Sequence, residues 1–581
     1  MSHFEGSEDV ARIDTKVAAK IASAVEDYDA LVHDAAAATE QQRNMGIIES
    51  FKTYPKAVMW SVLLSTAIIM EGYDTMLLGN FFAMPAFTKR YGVCNGAGEC
   101  QIPAPWMSGL NNGALVGEIL GLQLTGVFSE KYGYKRTMLV ALVFMTGFIF
   151  IPFFAQNLVT LLIGQILQGI PWGCFQTLTT AYAAEICPVT LRPYLTTYVN
   201  LCWVIGQLIA SGILRATVER DDHWAYKIPY AIQFVWPVPI LIGCLFAPES
   251  PWWLVRQGKH DEAEQSLRRL ASSKGEFTHQ EAQQTIAMMV HTNELEKLES
   301  EGSKYWDCFK KTDLRRTEIA CMVWMIQVFC GSPLMGSSSY FYQQAGLPTT
   351  QAFNFSIGQF ALGFCGTVAS WWLMGWFGRR TLYLWGQYIM FALLVITGAV
   401  GTASKSSASS WVVGSMLLIF TFVYDISVGP VCYCLVAEIS STRLRAKTIV
   451  LARNFYNIGG IVVNIIQPRL LNPDAWGLGA TSAFVWAGTS LLCITWTYFR
   501  LPEPKGRTYG ELDILFEQKV NARKFRQTKV DQFGDLTKMR QEGLLNNEKA
   551  STIEKEGSEK DQALTSTVTP PVSDLGYNSK A

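Results

Sequence analysis

Twelve long apolar runs dominate the chain between residues 56 and 500. They lie near 56–83, 106–128, 137–155, 158–183, 194–215 and 228–247, then near 318–342, 352–376, 381–402, 411–437, 448–468 and 480–500. A helix needs roughly 20 mostly apolar residues to cross about 30 Å of hydrocarbon, and each run is of that order. Charge is gathered instead into residues 1–52, 255–316 and 503–581. Only 17% of the residues are charged against 49% hydrophobic, whereas a soluble fold spreads charge over its whole surface. The pattern predicts an all-α membrane protein: twelve transmembrane helices in two six-helix halves, with a cytosolic helical linker. The 48 basic and 48 acidic side chains cancel, which leaves no basic footprint for nucleic acid.

The expected organisation is a cytosolic N-terminal tail (1–52), an N-terminal half (53–250), a linker with short helices (251–316), a C-terminal half (317–502) and a cytosolic C-terminal tail (503–581), disordered from about 525. Orientation follows from Lys and Arg in short loops. Lys131, Lys135 and Arg136, Arg379 and Arg380, and Arg443, Arg445 and Lys447 place the even-numbered loops, the linker and both tails in the cytosol. Residues 1–52 carry no apolar signal region, so the first span is expected to act as its own insertion signal. Of the thirteen cysteines, Cys94 and Cys100 flank a Gly-rich turn on the non-cytosolic side, where a disulfide and two free thiols are both open readings. No metal-ligand pattern, cofactor motif or nucleophile–base cluster stands out. All six histidines lie outside the runs.

The two halves echo each other. Ala184-Glu185-Ile186 with Arg192 recurs as Ala437-Glu438-Ile439 with Arg445, Pro248-Glu249 recurs as Pro502-Glu503, and Tyr132-Gly133-Tyr134 has a counterpart in Phe377-Gly378-Arg379. A six-span unit used twice is a transporter architecture, with the substrate site between the halves near the bilayer midplane.

Gly126-Val127-Phe128-Ser129-Glu130-Lys131-Tyr132-Gly133-Tyr134-Lys135 resembles the cytosolic loop motif of the major facilitator superfamily. Pro248-Glu249-Ser250-Pro251-Trp252-Trp253-Leu254 and Pro502-Glu503-Pro504-Lys505-Gly506-Arg507-Thr508 are similar to the segments that close each half of its sugar porters, and Gly72-Tyr73-Asp74 is typical of their first span. Within that family, residues 71–78 and 170–177 resemble fungal maltose/α-glucoside permeases, which are proton symporters. The resemblance runs from about residue 50 to 520. It implies the major facilitator fold and a plasma-membrane importer, monomeric and without a cofactor, whose partners are an α-glucoside disaccharide such as maltose, H+ and the lipid bilayer. A passive hexose or disaccharide facilitator and a non-transporting sugar sensor are the alternatives.

Glu71 and Asp74 in span one, Glu118 in span two, Asp425 in span ten and Arg453 in span eleven are charges set in apolar runs. Each costs about 2.5–3.5 kcal/mol at a helix centre, so they should face a wet cavity or one another. Glu71 and Asp74 share one helical face, and two close carboxylates resist ionising together, which suits proton loading. Glu71, Asp74, Glu118 and Arg453 are therefore the expected coupling residues, with Asp425 structural. Many sugar porters carry an Arg in span four that pairs with the span-one Asp. Here that position is Gln165, so Arg453 or Glu118 is expected to take over the role.

A sugar site combines amides, which both donate and accept, with an aromatic platform. Gln165, Gln168, Trp172 and Gln176 form one stripe on span four, and Asn200, Trp203 and Gln207 form another on span five. Gln327, near Gly331, resembles the family's sugar-binding Gln region in span seven. Asn454 and Asn457 flank Arg453, and Tyr340 and Tyr433 are candidate stacking partners. Finally, Glu130, Lys131, Glu185, Arg192, Arg380, Glu438 and Arg445 resemble the charged latch that locks the cytosolic side in the outward-facing state.

Overall fold

The computed structural model describes residues 10–12, 28–82, 84–94, 100–272, 278–299, 305–336, 338, 339, 342, 348–402, 407–441, 444–471, 476 and 478–531. Helices answer to all twelve runs. The first span is Pro55–Ser65 continued by Ala67–Phe81, and Ala104–Tyr132, Tyr134–Phe154, Leu158–Ile186 and Arg192–Thr217 follow. The sixth, Trp224–Phe246, passes through a 3-10 turn at Gln233–Val235. The second half runs Lys311–Phe329 with Ser332–Gly336, Thr349–Trp376, Arg379–Thr402, Ser409–Ile439, Arg445–Leu471 and Ala483–Arg500. Among the described residues nine are apolar enough to cross a membrane on hydropathy alone. The second, seventh and twelfth fall short because polar side chains interrupt them, such as Asn111, Asn112 and Glu118 in the second.

Small residues bring the helices of each half together. Gly117 and Gly121 of the second span face Gly169 and Gly173 of the fourth, and a Cβ at any of them would run into the partner's backbone. Without water to expel, helices in lipid associate through such close packing. Between the halves, the second span meets the eleventh, and the fifth meets the eighth and tenth.

The duplicated motifs do the same work in both halves. Glu249 accepts from the backbone N–H of Tyr134 at 3.0 Å and of Lys135 at 3.2 Å. Glu503 accepts from Arg379 N–H at 2.8 Å and Arg380 N–H at 3.1 Å. Each carboxylate caps the third span of its own half, where unsatisfied N–H groups favour negative charge. Burial pushes both carboxyls above the usual range, and these N–H donors pull the other way. A side chain at Gly133 or Gly378 would collide with the capping carboxylate, so the preceding glycine belongs to the device.

The linker forms Pro251–Arg256, His260–Leu270 and His279–Glu299, and the tail helix Tyr28–Asn44 packs along the last of these. Gln41 joins the two helices by donating to Glu281 at 2.8 Å. The tail placed in disorder from about 525 is paired as far as Asp531, since Lys529–Asp531 runs parallel to Val10–Arg12; residues 532–581 lie outside the described residues. Cys94 stands opposite Cys100 in a short antiparallel pair. Their side chains, like Tyr340, lie outside the described residues.

Candidate functional site

At mid-depth a buried charge cluster joins the halves. Arg453 of the eleventh span donates through Nε to Glu118 of the second at 2.8 Å and through Nη2 to Glu71 of the first at 3.4 Å. Gln176 donates to both oxygens of Glu71, at 2.7 and 2.8 Å. The guanidinium also lies over the rings of Tyr456, at 4.1 Å, and Trp324, at 4.8 Å, whose faces favour a cation. All three charged residues are at most 3% exposed. Two carboxylates thus share one cation in a site shielded from water, where removing charge from water is costly.

Asp74 departs from expectation. It does not share a site with Glu71: the acid that interacts with Glu71 is Glu118. Residues three apart on a helix diverge by about 60°, and here that is enough to turn Asp74 away. Asp74 accepts from Gln233 of the sixth span, which itself accepts from Gln168 at 3.3 Å, while Gln165 lies beside the same carboxylate. The Gln at the place of the usual Arg therefore does face the span-one Asp, as an amide rather than a cation.

Around the charge cluster stand polar groups with nothing to bond among the described residues: both side-chain atoms of Asn454 and of Asn457, and Gln168 Oε1, Gln176 Oε1 and Trp172 Nε1, are buried and lack a hydrogen-bond partner there, whereas Trp203 and Gln165 lie against Glu71 and Asp74. Buried polar atoms are nearly always paired, so such a concentration marks a place where a polar guest or water is accommodated. Gln327 donates to Gly429 O at 2.9 Å, and Tyr433 packs edge-on against Trp324 at 4.8 Å. Asn200 reaches across the halves to Thr367 and Asp425, at 3.5 Å each. Gln207 is half-buried a turn beyond Trp203.

Sequence reasoning set Asp425 aside as structural and did not single out Gln233, Trp324, Thr367 or Tyr456. Asp425 faces an amide of the other half, which intrahelical spacing does not reveal. Gln233 was hidden among the prolines of the sixth span. Trp324 had a signal that went unused, lying one turn before Gln327.

The residues expected to form the latch split. Glu185 gathers Tyr134 Oη at 3.0 Å, Arg256 at 3.0 Å, the Ser250 hydroxyl and, from the other half, Arg445 at 3.6 Å. Glu130 crosses to Lys447 at 2.9 Å. Arg192 donates to Ala184 O at 3.2 Å, and Glu438 pairs with Arg379 at 3.2 Å. Arg380 does not reach the other half: it donates to Tyr498 O at 2.8 Å, because the preceding Arg379 takes the inward face where the ninth span begins. Lys131 is exposed and stays over the ring of Tyr132 in its own half. On the opposite side Ser339 donates to Asn80 at 2.7 Å and Asn464 to Asn112 at 3.1 Å, so hydrogen bonds join the halves at both ends. Among the described residues no cluster of three or more His, Cys, Asp or Glu is placed to hold a metal ion.

A duplicated twelve-helix bundle with a charged, amide-lined centre between its halves defines a secondary transporter of the major facilitator type. The chain belongs to the Sugar (and other) transporter family, whose model it matches over residues 60–516. It is 44% identical over 509 residues to the maltose permease MAL31 of Saccharomyces cerevisiae, covering 87% of this chain and 83% of that one. It is 43% identical over 504 residues to the general alpha-glucoside permease of the same species, covering 86% and 82%. Among solved structures it resembles the proton:xylose symporter XylE bound to 6-bromo-6-deoxy-D-glucose, with a TM-score of 0.69 and 20% identity over 80% of this chain and 100% of that one. At that identity the likeness is one of fold.

Proposed function

We propose that the protein imports α-glucosides such as maltose together with H+, by alternating access, across the plasma membrane, as a monomer with both tails in the cytosol. The carrying observation is the triad of Glu71, Glu118 and Arg453, beside the partnerless amides of Asn454 and Asn457. With both acids ionised the triad is one negative charge in excess. A single proton taken from outside neutralises it and is released when the halves part toward the cytosol. Asp74, held by amides alone, is the second acid we assign to coupling. The relatives named as maltose and alpha-glucoside permeases support the substrate class.

Trp203, Tyr433 and the amides of Gln165, Gln168, Asn200, Gln207, Gln327, Asn454 and Asn457 are assigned to the sugar, since hydroxyls can meet donors and acceptors alike. Asp425 joins them through Asn200. One charge falling through ~100 mV releases about 2.3 kcal/mol and one pH unit adds about 1.4, enough for several-hundred-fold accumulation of a neutral sugar. The test is labelled-maltose uptake in transporter-deficient cells with external pH recorded. Symport is expected to alkalinise the medium on adding maltose and to lose accumulation with a protonophore. Accumulation without alkalinisation would remove the coupling claim, and a response to glucose but not maltose would remove the substrate class.

A further inference from the structure

Tyr509 opens the short helix Tyr509–Glu517 beyond the twelfth span. Its ring lies between two guanidinium groups, Arg192 at 3.7 Å and Arg445 at 3.8 Å from the ring centre. Arg192 begins the fifth span and Arg445 the eleventh, so the two cations come from opposite halves. Like charges repel, but each is drawn to a face of the ring. The helix carrying Tyr509 is fixed to the C-terminal half: Arg316 pairs with Asp513 and lies over Phe516, and Arg316 Nε donates to Ile439 O at 2.9 Å. From there Tyr509 reaches Arg192 of the N-terminal half and meets Trp252 of the linker edge-on at 6.2 Å.

Two observations make the ring more than filler. The Tyr509 hydroxyl is buried and has no hydrogen-bond partner among the described residues, so the aromatic face carries the contact. The repeat is also broken here. Glu185 crosses the halves to Arg445, whereas its counterpart Glu438 pairs with Arg379 in its own half and makes no ion pair with Arg192 among the described residues. Where the second crossing ion pair would fall, Arg192 rests on Tyr509.

We propose that Tyr509 is a positioning residue of the transport cycle, an aromatic wedge that holds Arg192 and Arg445 together and keeps the cytosolic side shut. One guanidinium must leave the ring each time the halves part there. Cys434 reports that parting, because it is buried on the tenth span beside Tyr194 of the fifth. The experiment measures maleimide labelling of Cys434 by mass spectrometry in the full-length protein, solubilised from total membranes so that retained variants still report, and without sugar.

Losing two buried cation–π contacts should speed labelling at least about ten-fold in Tyr509→Leu. Tyr509→Phe, which keeps the ring, should label at the native rate and restore the apparent KM for external sugar that Tyr509→Leu raises. Labelling unchanged in Tyr509→Leu overturns the proposal, as does Tyr509→Phe behaving like Tyr509→Leu. Neither result depends on which sugar or ion is carried.

Discussion

The two buried charge clusters that join the halves are composed in opposite senses. At mid-depth Glu71 and Glu118 share Arg453, so acid exceeds base. At the linker end Glu185 collects Arg256 and Arg445, with two hydroxyls besides, so base exceeds acid around it. An excess carboxylate can be discharged by one proton. An excess guanidinium cannot, because Arg stays charged. On the proposed function, the first cluster is the one that protons switch and the second the one that must be taken apart mechanically, which would make coupling and locking separable tasks in one molecule.

The largest effect that could break this contrast is expected at Arg453. Removing one partner of a buried charge pair costs roughly 3–5 kcal/mol, so Arg453→Gln should lower uptake more than about 100-fold. Glu118→Gln should leave a balanced Glu71–Arg453 pair that carries sugar downhill without accumulating it. The double variant Glu118→Gln/Arg453→Gln should regain part of the downhill rate lost in Arg453→Gln, because one stranded carboxylate remains instead of two. Labelled-maltose uptake with and without a protonophore checks all three. Uphill accumulation by Glu118→Gln would sink the division of labour.

A smaller effect is expected from the cytosolic cluster. Glu185→Gln keeps the hydroxyl contacts but removes the charge that draws Arg445 across the halves. Uptake at saturating sugar should fall roughly ten-fold, as for the loss of a charge-assisted buried hydrogen bond, while the H+ to sugar ratio stays unchanged. A changed ratio, measured by simultaneous pH and tracer recording, would mean that the two clusters are not separate.

This contrast was only half legible in the sequence. Spans, repeat and orientation could be read because apolar length and charge placement are local properties. Glu118 and Arg453 stood out because a charge in an apolar run is conspicuous. Their pairing did not, since it joins residues 335 positions apart. Helical periodicity placed Glu71 and Asp74 on one face, but a 60° divergence sent them to different neighbours. Arg379 and Arg380 were distinguishable only once the start of the ninth span fixed which one faces inward. The wedge at Tyr509 gave no signal, because a Tyr beyond the last span reads as tail.

The amide wall should respond more mildly and on sugar alone. Asn200→Ala removes the group that meets Thr367 and Asp425 from the other half. Losing one or two polar contacts of about 1 kcal/mol each should raise KM for maltose roughly five- to thirty-fold. The initial H+ to sugar ratio should be unaffected. A shift in that ratio would move Asn200 and Asp425 into the coupling machinery.

The smallest effect on transport is expected from His291, and it sharpens the contrast by placing a genuine proton response in the linker, outside both clusters. His291 lies on His279–Glu299, the linker helix against which Tyr28–Asn44 packs, and it is 3% exposed. Burial pushes its imidazole down from 6.5 to about 4. A lowered histidine pKa means that the folded state prefers the neutral ring. The stabilisation is complete above the unfolded value and is lost as pH falls through 6.5 toward 4. By pH 5 the loss should approach about 2 kcal/mol, felt as loosening of the linker bundle rather than as a change in coupling. Protease sensitivity of residues 278–299 in the solubilised protein should therefore rise between pH 7.5 and pH 5, and His291→Gln should flatten that dependence while leaving maltose-driven alkalinisation intact. If His291→Gln instead altered the alkalinisation, proton traffic would run through the linker bundle, and coupling would not be confined to mid-depth.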